Sequence, residues 1–406
     1  MWRLEFPRLV ASAARITRDA GLAEQVAQDA FVAALSQWPN EGMPERPGAW
    51  LLEVARRRAV DVVRRDTTRD AKYRFVAHAT STEESPVDDL PAYQIDDDVL
   101  RLMFVCCHPM LGREARVALT LRLIGGLKTD EIASAQLVPS KTAGQRISRA
   151  KQKLAESGTA FDEPSPDELA ERLSSVLEVV YLVFNEGYAA SSGTSWIRVD
   201  VAGEALRLGR MLAHFAPDHA EVHGLLALME LHASRFAARQ GPDGPVLLDD
   251  QDRSKWDRLL IRRGLAELDR AERLGGGPYT SQAAIAACHA RATTADATDW
   301  PALAGLYDAY AVTYPGPIVE LNRAVAHWKA HGPAAAQPIL QPLLGDNRVN
   351  RNHLLHSVIA EIAVDAHDTP TAQDHLQIAL EFVTNEADAR ILRRKLDRLD
   401  VSDGAQ

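Results

Sequence analysis

The stretch GGLKTDEIASAQLVPSKTAGQRISRAKQKL, residues 125–154, decides how the chain is read. Thr129 is placed to cap a helix whose opening turn holds Asp130 and Glu131, where the helix dipole favours anions. Ile132, Ala133 and Gln136 continue that helix; Leu137-Val138-Pro139 breaks the period and Ser140 restarts it. In the second helix Ala143, Ile147, Ala150 and Leu154 recur at i, i+4, i+7 and i+11, one apolar stripe. The opposite face carries Lys141, Thr142, Gln145, Arg146, Arg149 and Lys153, with no acidic residue between Lys141 and Lys153. A helix, a tight turn and a basic second helix form the arrangement that enters a DNA major groove. A solvated basic helix end explains the second helix alone equally well; the helix–turn context favours DNA. Gly144, inside the second helix, loses about 1 kcal/mol of helix propensity relative to alanine. It either admits a phosphate backbone at close range or serves no purpose.

Outward from that stretch, the whole chain has the composition of an ordinary globular protein. Its 406 residues are 46% hydrophobic and 25% charged, enough for two or three domains. Three cysteines, two of them adjacent (Cys106 and Cys107), make neither a disulfide framework nor a CxxC metal site. The start, MWRLEFPRL, has no signal-peptide core, and no long uncharged run could cross a bilayer. The expectation is a cytoplasmic protein with no membrane partner. The net charge of −10 hides an asymmetry: residues 1–155 hold 23 basic and 20 acidic side chains, and the remainder 23 basic and 36 acidic. A front part able to face phosphates is joined to an acidic back part.

Taken in order, residues 3–20 read as a helix with Leu4, Leu9, Ala13 and Ile16 inward. A second helix, 22–38, buries Leu22, Val26, Ala30 and Ala33 and turns Glu24, Gln25, Gln28 and Asp29 outward as an acidic polar surface. PNEGMPERPG, residues 39–48, is a loop. Trp50 opens a third helix, and from Arg56 to Arg74 eight basic residues face three acidic ones. Guanidinium groups beside an indole suit single-stranded or melted nucleic acid; a solvated face is the plainer explanation. Residues 75–91 read as a linker, and seven acidic residues with no basic one fill 83–98. CysCysHisPro, 106–109, invites a metal reading, but vicinal ligands at one helix end cannot close a tetrahedral zinc site; core packing is expected.

GLAEQVAQDAFVAAL, PGAWLLEVARRRAVDVVRR, CCHP, ALTLRLIGGLKTDEIA and LVPSKTAGQRISRAK, in that order, resemble the extracytoplasmic-function sigma factors of the sigma-70 family. More narrowly, the chain is similar to the subgroup with a large helical, tetratricopeptide-like C-terminal extension, which VVYLVFNEGYAAS (179–191) begins to match. The resemblance implies an all-α fold: region 2 over 1–74, an acidic linker over 75–95, a region 4 helix-turn-helix over 96–156 and a regulatory solenoid over 157–406. It implies that Glu24, Gln25, Asp29 and Phe31 dock on core RNA polymerase, whose β′ clamp helices and β flap are the partner surfaces. The family often has Asp where this chain has Gln25. Trp50, Arg56, Arg57, Arg58, Arg64 and Arg65 are assigned to melting the −10 element. Ser140, Lys141, Thr142, Gln145, Arg146, Arg149 and Lys153 are assigned to reading the −35 element of promoter DNA. It further implies that the extension replaces a separate anti-sigma protein.

Beyond residue 166, eleven segments with apolar residues at i, i+3 and i+4 are expected to be helices. They begin with 172–186, 202–215, 220–239 and 251–274, and Gly277-Pro278, Tyr314-Pro315 and Gly332-Pro333 separate later ones. A concave solenoid surface would take a regulatory protein. The FNEGY run places Phe184, Asn185, Glu186 and Tyr188 as a contact between the extension and the DNA-binding domains. His219 and His223 are four apart, but Glu221 is misplaced for HExxH; His353 and His356 read as exposed helix histidines. With no phosphate loop and no nucleophile–base set, the chain is expected to be no enzyme and to need no cofactor or metal. Two other classes compete with a promoter-specificity factor: a dimeric helix-turn-helix regulator of duplex operators and a helical scaffold. The second basic region beside Trp50 is useless to the first, and the charge split is unexplained by the second.

Overall fold

The computed structural model describes residues 2–74, 92–136, 138–157, 166–188, 198–241, 244–383 and 386–403. Among them are eighteen α-helices and one two-stranded hairpin. The chain divides into two compact units, Met1–Phe215 and Ala216–Gln406.

The first unit opens with α1 (Trp2–Thr17), α2 (Ala20–Glu41) and α3 (Pro47–Arg74), which pack pairwise. Asp19 ends the first link: its Oδ1 accepts the N–H groups of Gly21 (2.6 Å) and Leu22 (2.9 Å), capping α2. Phe6, Leu9, Val10, Ala13, Val26, Ala30, Leu51 and Ala55 form the core, so the apolar stripes lie where their periodicity puts them. Ile16 and Leu22 are half-buried, and the Leu4 side chain lies outside the described residues. Residues 75–91 of the expected linker also lie outside them, and 92–95, assigned to the linker by resemblance, belong to a helix that starts at Ala92.

Next come α4 (Ala92–Cys106), α5 (Arg113–Leu123), α6 (Thr129–Ala135), α7 (Ser140–Ser157), α8 (Pro166–Tyr188) and α9 (Val199–Phe215). The division expected at 156/157 does not coincide with the boundary between the units, because α8 buries its apolar stripe on α4 and α5. Leu173, Val176, Val180 and Phe184 on α8 are buried, and α8 packs on α9 as well. Polar contacts fix the seam. Arg116 donates to Ser175 Oγ, which donates to the Cys107 carbonyl at 3.0 Å; Arg113 and Glu178 pair at 2.7 Å. Cys106 and Cys107 are core residues. Burial pushes both thiols up, Cys107 to about 12, so they stay protonated and pack as small apolar groups.

Asn-Glu-Gly at 185–187 does not break α8. A Cβ on Gly187 would come within 2.3 Å of the Ala202 backbone nitrogen, so the glycine permits α8 and α9 to cross at close range.

The second unit contains α10 (Ala220–Ala233), β1 (Gln240–Gly241), β2 (Gly244–Pro245), α11 (Arg258–Arg273), α12 (Pro278–Arg291), α13 (Trp300–Thr313), α14 (Pro317–His331), α15 (Pro333–Leu344), α16 (His353–Asp365), α17 (Thr369–Phe382) and α18 (Glu386–Asp403). Most helices pack on their sequence neighbours. Proline at the first position starts α12, α14 and α15 after a glycine, as the Gly-Pro breaks require. Two expectations need correction here. The helices expected over 220–239 and 251–274 end at Ala233 and start at Arg258, with 3-10 turns and the β1–β2 hairpin between them. Asp257 sets the start of α11, capping it through the N–H groups of Leu259 (2.8 Å) and Leu260 (3.1 Å). His356 is buried, not exposed: its Nε2 donates to the Asn350 carbonyl at 2.9 Å. Its Nδ1 is hydrogen-bonded to His375 Nδ1, also at 2.9 Å. His223 is likewise occupied, between Glu267 (2.6 Å) and the Pro217 carbonyl (2.9 Å).

Candidate nucleic-acid interface

The helix-turn-helix is built as α6, a short connection and α7. Thr129 lies in the first turn of α6 and does not cap it; Glu131 Oε2 takes the Lys128 N–H at 2.7 Å instead. The turn closes through Val138 N–H to Ala133 (3.0 Å) and Thr142 N–H to Pro139 (2.8 Å). Ala143, Ile147, Ala150 and Leu154 are buried, which fixes which face of α7 looks out. On that face four of the seven assigned residues have other positions or partners. Ser140 Oγ donates to Asp130 (2.5 Å), Arg146 to Gln136 Oε1 (3.0 Å) and Lys153 to the Met110 carbonyl (2.6 Å), and Thr142 is half-buried. Lys141, Gln145 and Arg149 are exposed and have no side-chain partner among the described residues. Their spacing of four lines them up as one row of two cations and an amide.

Gly144 points elsewhere. A Cβ there would sit 3.7 Å from the Thr129 methyl group, in ordinary contact with α6. Gly144→Ala is therefore expected to raise stability by about 0.5–1 kcal/mol through helix propensity, with DNA affinity unchanged. Urea unfolding and a duplex titration of both proteins check this; a loss of affinity would mean the glycine faces DNA.

A second cationic surface lies on α3. Trp50 is half-buried, and its ring meets Trp38 edge-on at 5.4 Å. Trp38 was not singled out from the sequence, though an aromatic at each end of a Pro/Gly loop is the signal that finds it. Arg56 is half-buried with no partner among the described residues, and Arg64 and Arg65 are exposed. Arg57 pairs with Glu53 at 2.6 Å, and Arg58 reaches Asp29 of α2 at 3.6 Å.

On α2, Gln25 is exposed and Asp29 half-buried against Arg58, while Phe31 packs on Trp2 at 4.5 Å. Glu24 corrects the sequence expectation of an outward acidic residue. It is 4% exposed, its Oε1 accepting Arg122 Nε of α5 (2.6 Å) and Gln28 Nε2 (2.8 Å) and its Oε2 accepting Lys151 of α7. Burial pulls both cations down from their usual range. What does face solvent is Val32 (61% exposed) and Leu35 (77%), which continue the Gln25–Gln28 row at helical spacing. Two large apolar residues off the 26/30/33 stripe could have been read from the sequence. At the other side of α6, Glu186 lies 3.9 Å from Arg198, whose NH1 approaches the Glu131 carbonyl at 3.5 Å. Phe184 is buried and stacks on Tyr188 at 5.9 Å, with Asn185 half-buried.

Known families match these parts. A model described as Sigma-70 region 2 matches residues 1–69, and one described as Sigma-70, region 4 matches residues 101–154. The front of the chain carries the region 2 and region 4 domains of the sigma-70 family. A family of unknown function, DUF6596, matches residues 172–272 of the extension. Over 397 residues the chain is 39% identical to an uncharacterized protein of Rhizobium meliloti, covering 97% of this chain and 93% of that one. It is 32% identical over 161 residues to a probable ECF RNA polymerase sigma factor of Mycobacterium tuberculosis, covering 39% of this chain and 54% of that protein. No solved structure matches.

In these terms α1–α3 form region 2 and α4–α7 hold region 4, and Glu24 is one link between them, a carboxylate held by two region 4 cations. Trp2 adds a second link, its indole N–H donating to the Gly126 carbonyl at 3.1 Å. None of the described helices is long and apolar enough to cross a membrane.

Proposed function

We propose that this sigma-70 family chain directs transcription initiation as an extracytoplasmic-function sigma factor. The observation that carries the reading is the pair of cationic surfaces, one beside an aromatic pair on region 2 and one on the outer face of α7. The row Lys141, Gln145 and Arg149 reads the −35 element in the major groove, with Ser140, Thr142, Arg146 and Lys153 holding the helix in place. Trp50 with Trp38, and Arg56, Arg57, Arg58, Arg64 and Arg65, hold the melted −10 strand by stacking and phosphate contact. Gln25, Asp29, Val32 and Leu35 offer core polymerase a surface with an apolar centre and a polar rim. A dimeric operator-binding regulator has no use for the region 2 surface.

Two promoter elements about 25 base pairs apart are separated by on the order of 80 Å of duplex. Lys151 of the −35 reader touches Glu24 of region 2, so promoter binding requires that clasp to open. Glu24 then becomes available to polymerase. In the same reading the extension is a tetratricopeptide-like regulatory domain that takes a protein partner, and Arg198 and Glu178 tie its first two helices to region 4.

Lys141→Ala and Arg149→Ala are each expected to weaken binding of the polymerase complex to its promoter. The loss is about 1–3 kcal/mol where a base pair is read bidentately, and it is uniform across sequences with a shallower salt dependence where a phosphate is held. Titration of promoter and point-mutant duplexes at two salt concentrations separates the cases; unchanged affinity in both variants would remove α7 from the interface.

A further inference from the structure

The second unit holds a cavity of about 600 Å³ that the sigma-factor reading does not use. That volume lies within the range of drug-sized ligand pockets, about 300–1,000 Å³. The turn at 247–250 and helices α12, α13, α14, α16, α17 and α18 all contribute to its lining. Its floor is made of the buried Leu303, Ala326, Ala360 and Leu376, and Trp300 and Tyr307 stand in the wall.

The charge of the lining is balanced and mostly self-satisfied. Asp249, Asp250 and Glu361 stand against Lys329, Lys395 and Arg398; Lys329 pairs with Asp249 at 3.3 Å and Lys395 with Glu361 at 2.6 Å. No net field selects an anion or a cation. The uncharged polar groups are a different matter. Among the described residues the Asn322 amide and the Tyr307 hydroxyl have no side-chain hydrogen-bond partner, and Nδ1 of His289 is buried without one. A buried polar atom without a partner is uncommon and calls for a reason. Burial and the cations Arg235 and Arg253 push His289 down to about 4, so at neutral pH it is an uncharged imidazole. Burial pushes Tyr307 up to about 12, so it remains a donor.

We infer that this cavity binds an uncharged small molecule carrying a flat ring, seated on the apolar floor against Trp300 and Tyr307 and hydrogen-bonded by Asn322 and His289. An extended peptide fits the site poorly, because each of its residues brings an N–H and a C=O that need partners. Three uncharged polar groups cannot supply them.

The test uses the full chain and the probe 6-propionyl-2-dimethylaminonaphthalene, an uncharged flat fluorophore with one carbonyl acceptor. Saturable one-site binding with blue-shifted emission is expected. Val325→Trp and Val364→Trp, which place an indole in the cavity, should each weaken it about tenfold or more with melting temperature and helical signal unchanged. Val364 is 43% exposed, so its variant carries the test even where the half-buried Val325 variant fails to fold. The anionic 1-anilinonaphthalene-8-sulfonate should bind about tenfold more weakly than the uncharged probe. Absence of saturable binding, undiminished binding in a folded filled variant, or equal or tighter binding of the sulfonate would each overturn the inference.

Discussion

Replacing Glu24 by alanine is expected to destabilise the first unit by about 3 kcal/mol, more than any surface substitution in the chain. The carboxylate is buried and satisfied by Arg122, Lys151 and Gln28. Its removal leaves two cations, 21% and 19% exposed, without their carboxylate, although Arg122 still donates to the Leu127 carbonyl at 3.0 Å. Taking one member from a buried ion pair costs about 3–5 kcal/mol, and the residual exposure of the cations places the effect at the lower end. The attraction itself contributes less than that, because all three groups gave up water to meet. Glu24→Gln keeps the shape and one acceptor and should fall between wild type and alanine. Urea unfolding of the full chain, with hydrogen exchange read on α2, α5 and α7, measures both variants. A loss below about 1 kcal/mol for alanine would mean the clasp is incidental.

Acidification from pH 7 to pH 5 should weaken the second unit by about 2 kcal/mol through His289 alone. In the folded chain burial pushes this imidazole down to about 4, with Arg235 and Arg253 adding to the shift and Asp249 opposing it. In the unfolded chain it titrates near 6.5. Above pH 6.5 neither state holds the proton, so the group adds nothing. As pH falls from 6.5 toward 4 the unfolded chain binds a proton that the folded chain refuses, and stability is lost; below about 4 the loss levels off. His232 is pushed well below its usual range, by burial first and then by Arg235, Arg239 and His289, and acts in the same direction. Urea unfolding at the two pH values, followed by the fluorescence of Trp256, Trp300 and Trp328, reads the effect. His289→Gln should remove about 2 kcal/mol of the pH dependence, and an unchanged slope would contradict the assignment.

Periodicity made the helices legible wherever one face had to be apolar. Ala143, Ile147, Ala150 and Leu154 on α7, and Val26, Ala30 and Ala33 on α2, are buried as their spacing requires. The same logic fails where a polar residue is buried by a partner distant in the chain. Glu24 reads as solvent-facing because nothing within α2 reveals that Arg122 and Lys151, 98 and 127 residues away, will close on it. His356 is hidden for the same reason by His375. The sequence shows the weak helix propensity of Gly187 but not the backbone of Ala202 against it. The division between the units after Phe215 was invisible because α8 is apolar enough to serve either side. Free and occupied cations on α7 also look alike in sequence; the contacts of Arg146 and Lys153 with Gln136 and the Met110 carbonyl separate them from Lys141 and Arg149.

The most direct measurement is run-off transcription by purified core RNA polymerase, with and without this protein, on fragments of the genome it comes from. The account predicts discrete new transcripts that depend on the protein, whose upstream sequences share elements near −35 and −10 and which Lys141→Ala or Arg149→Ala diminishes. Duplex binding without any protein-dependent transcript, from the full chain and from a chain ending after Ser157 alike, would contradict it and favour an operator-binding regulator.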